Sequence, residues 1–138
     1  MIRGMRVQLK PNNKQKAKLF ESAGVSRFAY NWALNRQIET YKNGGKFIFD
    51  KELRKEFTKL KQTEEYSWLN NYSNNITKQA IKDACDAYVK FFKGESKYPK
   101  FKSKKKSKPS FYADTDKIQF TGAHVKLEKL TTSRKKNK

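Results

Sequence analysis

Between Asn74 and Lys93 apolar residues recur at the spacing of one helix face. Ile76, Ala80, Ala84, Tyr88 and Phe91 form the stripe, Ile81, Cys85 and Phe92 widen it, and Asn75, Gln79, Lys82, Asp86 and Lys90 lie opposite. Gly94 is the stop signal. A stripe this broad must be covered by other elements, so it sets the axis of any core the chain builds. The segments that precede it supply the cover. Asn12 and Asn13 offer N-caps to a helix carrying Leu19, Phe20 and Ala23 and ending at Gly24. A second helix follows with Phe28, Ala29 and Trp32, then Leu34, Ile38 and Tyr41, and ends at Gly44-Gly45. The tight junction at Gly24 predicts a helix-turn-helix-like pair. Asp50 caps a third helix with Leu53, Phe57 and Leu60 on one side, and an Asn- and Ser-rich turn holding Trp68, Leu69 and Tyr72 leads into the long fourth helix.

The ends of the chain read differently. Met5, Val7 and Leu9 alternate with Arg6, Gln8 and Lys10 up to Pro11, which is the pattern of a half-buried strand. A lone strand needs partners, and the next period-two signals are Ile118 and Phe120, then Val125 and Leu127. The expected fold is therefore α+β: a small antiparallel sheet or partial barrel made from both chain ends, with an inserted lobe of about four helices. The expected divisions are a first strand at 1–11, the helical lobe at 12–94, a Lys-rich loop with the remaining strands at 95–130, and a basic tail at 131–138.

Composition decides which functions such a scaffold can serve. Leu, Ile, Val and Phe number 28 of 138 residues, near the border below which charged chains do not fold. Ten Phe, seven Tyr and two Trp compensate, because each ring has a large buriable area. Against 13 acidic residues stand 33 Lys and Arg, a net charge of +20, which calls for a polyanionic partner. One cysteine, Cys85, and one histidine, His124, leave neither a disulfide nor a Cys/His zinc site, and Cys85 reads as a small core residue. Asp114 and Asp116 flank a turn without a third carboxylate, and Asp83 and Asp86 sit beside Lys82 and Lys90, where i,i+4 ion pairing accounts for them. No acid–base pair, activated nucleophile or phosphate-cradling Gly loop stands out, so no catalytic residue, metal ligand or cofactor is assigned. Nowhere do about 18 apolar residues follow one another. The expectation is a cytoplasmic protein without membrane contact.

Two stretches suit nucleic acid. From Lys97 to Lys108 there are seven lysines and no acid, with Tyr98 and Phe101 interleaved, so cations can neutralise phosphates while rings stack on bases. A solvated Lys-rich loop is the plainer alternative. Along the second helix Arg27, Tyr30, Asn31 and Leu34 share one face; they either reach base edges and phosphates or pack the Tyr and hydrate the Arg.

Four blocks carry a resemblance. Met1 to Asn12, Arg27-Phe28-Ala29-Tyr30-Asn31-Trp32-Ala33-Leu34, the run from Gln79-Ala80-Ile81-Lys82-Asp83 to Phe91-Phe92-Lys93-Gly94, and Tyr98-Pro99-Lys100-Phe101-Lys102-Ser103-Lys104 followed by Ser110-Phe111 occur in the order of the transposon-encoded TnpB (OrfB) transposase family, which the chain resembles over nearly its whole length. The resemblance implies the recognition and wedge region of an RNA-guided DNA endonuclease, with guide RNA and target DNA as partners. By position it puts Tyr30, Asn31, Lys78, Gln79 and Lys82 near the target duplex and Lys100, Lys102 and Lys104 to Lys106 on phosphates. Arg6, Arg27, Tyr98 and Phe111 complete the expected nucleic-acid-binding set. The family's RuvC-like nuclease centre, with its magnesium and zinc sites, corresponds to sequence beyond Lys138. The expectation is thus a truncated transposase fragment that binds without cutting, partnered by a separate nuclease half or a full-length homologue; the alternatives are a DNA-binding regulator or repressor derived from the family, or a non-functional remnant.

Overall fold

A computed structural model describes residues 8–105 and 109–112, together with the backbone of 119–121, 124–126 and 133–135. Arg6 and Lys106, the alternating residues Met5 and Val7, and the Asp114/Asp116 pair lie outside the described residues, as do the side chains of Phe120, His124 and Val125. In chain order the elements are β1 (Leu9–Lys10), α1 (Asn13–Lys42), α2 (Asp50–Lys61), a 3-10 turn (Ser67–Asn71), α3 (Asn74–Phe92), β2 (Gln119–Thr121), β3 (His124–Lys126) and β4 (Ser133–Lys135).

The α+β expectation is overturned. The described chain is mostly helical, in three α-helices of 30, 12 and 19 residues, whereas each strand has only two or three. The strands pair antiparallel in the order β1-β4-β3-β2, with Leu9 opposite Lys135 and Phe120 opposite Val125. These rungs are too short to make a sheet layer or barrel of the kind expected, and every residue of the described buried core lies on a helix or the 3-10 turn. The helices, not a sheet, organise the fold.

The lobe also has fewer helices than expected, because Gly24 does not break α1. Glycine in a helix interior costs about 1 kcal/mol relative to alanine, but Ala23, Val25, Ala29, Ala33 and Leu34 are buried, and α1 packs chiefly against α3. Keeping both halves of α1 on that helix outweighs the local preference for a turn. The chain does start where expected. Asn12 Oδ1 accepts from Gln15 N at 2.8 Å and Gln15 Oε1 accepts from Asn12 N at 2.9 Å, a reciprocal capping box. At the other end Gly44 takes φ +76°, and Gly45 N donates to Thr40 O at 2.8 Å.

Asp50 is the first residue of α2 and not its cap; Phe49 occupies the cap position without a side-chain bond. Asp50 and Glu52 in the first turn and Lys59 and Lys61 in the last still complement the helix dipole. Leu53 and Phe57 turn inward, and Arg36 forks onto Glu56 at 2.9 and 3.1 Å, tying α1 to α2. Ser73 caps α3, which ends as its pattern predicts, with Gly94 at φ +75°. Ile76, Ala80, Ile81, Ala84, Cys85 and Tyr88 of its stripe are buried, whereas Phe91 is half-buried and Phe92 exposed in the last turn.

Candidate nucleic-acid interface

Half of the expected binding residues meet along one side of α1, and the contact that gathers them spans 71 residues of sequence. Asn31 Nδ2 donates to the Lys102 carbonyl at 2.8 Å, and Lys102 N donates to Asn31 Oδ1 at 2.8 Å. A side-chain amide here pairs with a backbone as a neighbouring strand would, satisfying both polar groups of Lys102. Lys102 then lays its ammonium over the Tyr30 ring, 4.2 Å from the centroid. Tyr30 is buried, and burial followed by the nearby Asp83 charge raises its phenol above the usual range.

Around this clamp lies a cleft of about 290 Å³ formed by Ser26, Gln79, Asp83, Lys102, Ser110 and Phe111, among others. Phe111 packs against the core. Gln79 Nε2 donates to Asp83 Oδ1 at 2.9 Å, so the carboxylate finds an amide partner one turn away. A second cleft of about 460 Å³ joins Arg27 to Lys104, Phe20 and Pro109.

The segment from Lys97 to Lys105 is therefore a strap seated on α1 and α3, with cations outward. Pro99 is buried, while Lys97, Lys100, Lys104 and Lys105 are exposed. Tyr98 is 47 % exposed and meets the rings of Phe91 and Tyr88 edge-on, at centroid distances of 5.0 and 6.0 Å. Burial and the bond to Tyr98 push the Tyr88 phenol up to about 12. Phe101, 53 % exposed, stands between Lys100 and Lys102.

Tyr30, Asn31, Gln79, Lys102 and Phe111 are thus brought together, and Arg27 meets Lys104 beside them. Lys82 is exposed on α3, and Lys78 faces a different cavity beside α2. Phe20 escaped the sequence reading, which placed it in the core, yet it is 64 % exposed beside Arg27. A signal existed. Ser22, Ala29, Ala33 and Gln37 mark the buried line of α1, and Phe20, two residues before Ser22, falls about 200° around the helix from it. For the Asn31–Lys102 clamp no local signal exists.

A helix-turn-helix domain model of the OrfB family matches residues 1–46. In that interval the described structure is β1, an unbroken α1 and the start of the turn that leads to α2. The chain is 28 % identical over 136 residues, 99 % of its length, to an Escherichia coli K12 protein provisionally named RNA-guided DNA endonuclease InsQ. It is 29 % identical over 131 residues, 95 % of its length, to a Streptomyces pristinaespiralis protein with a provisional name of the same kind. It spans 34 % and 32 % of those relatives, about a third of their length. The helix-turn-helix model and both relatives agree with the four sequence blocks in pointing to the TnpB (OrfB) family, to which the chain is similar over nearly its whole length.

Proposed function

We propose that this chain binds nucleic acid, holding RNA on the Lys97–Lys105 strap and duplex DNA on the neighbouring helical face, and does not cut it on its own. The observation that carries this reading is the seating of the strap. Asn31 fixes the backbone of Lys102 at two points, so the lysines around it project from a held segment. Holding the segment lowers the ordering cost of binding. Exposed Tyr98 and Phe101 give unpaired bases a face to stack on, which suits single-stranded or structured RNA. The helix-turn-helix description of the matched family model favours DNA as the other partner. Relatives named as RNA-guided DNA endonucleases favour the two together.

Filter binding tests the reading. Structured RNA from a transposon end and a duplex are each titrated at ~50 mM salt, where phosphate contacts are strongest. Affinity for both is expected, with the exposed strap lysines contributing about 3 to 4 to the slope of log K against log salt. No affinity for either would sink the proposal. A specific duplex outcompeting the RNA would convert it to a DNA-binding regulator, and nicking of labelled duplex with added magnesium would remove its non-cutting clause.

A further inference from the structure

Away from the strap, a cavity of about 390 Å³ opens between α2, the 3-10 turn and the first turns of α3. Among the described residues three cationic side chains line it, Arg54, Lys61 and Lys78, and no acidic residue does. Its neutral wall includes Gln62, Asn74 and Thr77. Lys61 is 9 % exposed, an unusual depth for an ammonium, and its Nζ donates to Asn74 Oδ1 at 2.7 Å. Arg54 is under-satisfied: one terminal nitrogen lies 3.7 Å from Asp50 Oδ2, and its buried Nε has no hydrogen-bond partner among the described residues. An unpartnered buried N–H on a cation is costly, and a guanidinium fork matches phosphate oxygens. The N-terminal end of α3 adds the positive end of a helix dipole to the same wall.

We infer that this cavity is a phosphate-binding site, with Arg54 and Lys61 holding the phosphate oxygens and exposed Lys78 closing over it. The phosphate is either a backbone phosphodiester of nucleic acid or a free phosphate. The inference does not rest on the strap, which lies elsewhere. The test follows the Arg54 Nε–H resonance by NMR at fixed ionic strength. One titration uses inorganic phosphate; another uses a short duplex without terminal phosphates. A saturable shift with phosphate supports the free source, a shift with duplex alone supports the backbone source, and a shift with both supports a site open to either. Lys78→Gln, on an exposed residue and with its melt checked against the parent, is expected to weaken the response about tenfold. Asn31→Ala is expected to leave the inorganic phosphate titration unchanged, so failure of the strap reading would not register here. The inference is overturned if neither titrant moves the resonance, or if Lys78→Gln titrates like the parent.

Discussion

Two amides on α1 perform the same act in different surroundings. Gln37 holds both backbone groups of Ile48: its Nε2 donates to the Ile48 carbonyl, and Ile48 N donates to its Oε1 at 3.0 Å. Six residues earlier, Asn31 holds Lys102 by the same pair of bonds. Gln37 is 2 % exposed and also donates to Cys85 Sγ at 3.6 Å, so its clamp lies in the core. Asn31 works at the surface beside cations. The difference teaches that one device can close a core or seat an exposed, cation-bearing strap, depending on whether water can replace it when it is lost.

The comparison breaks most visibly at its buried end. Gln37→Leu leaves the Ile48 N–H unpaired and its carbonyl with only the long Cys85 Sγ contact at 3.9 Å, at a cost of about 2–4 kcal/mol, and is expected to lower the melting temperature by on the order of 10 °C. An unchanged melt would show that the buried clamp is dispensable. Asn31→Ala is expected to cost only about 1 kcal/mol, since water can reach the released groups. Its larger signature is weaker RNA binding in filter assays and faster proteolysis between Lys97 and Lys105. RNA affinity equal to that of the parent would mean that the strap needs no seating.

A smaller effect tests the continuity of α1. Gly24→Ala is expected to stabilise by about 0.5–1 kcal/mol in urea unfolding. The added Cβ would meet nothing closer than an Arg27 terminal nitrogen at 3.7 Å, whereas a turn at Gly24 would make the substitution destabilising. The smallest effect concerns alkaline pH. Burial pushes the Cys85 thiol from its ordinary 9.0 up to about 11, against the opposing bond from Gln37. Its protonated form is favoured in the folded chain, so this stability is full below about pH 9 and lost as pH rises through 11. Cys85→Ala should flatten the fall in melting temperature across that window.

Legibility in the sequence followed the range of the forces involved. The course of α3 could be read because its stripe and Gly94 stop are local, whereas the Ser73 cap was not singled out. The Asn12 N-cap and the Gly44 close of α1 were legible for the same reason. Gly24 misled because a local turn signal competes with burial on α3, whose strength depends on residues more than fifty positions away. Strand periodicity misled because it registers alternation and not how much area a strand buries. For the strap, its charge was readable; its posture was not.

The sequence by itself determined the net charge of +20, the amphipathic stripe at the centre of the core and the likeness to the OrfB family, since each resides in residue identity and short-range order. Tertiary structure decided that α1 runs unbroken, that the short strands do not organise the fold, and that Asn31 holds Lys102 while Gln37 holds Ile48. Those outcomes depend on which distant groups meet and which of them exclude water, and no single segment encodes either.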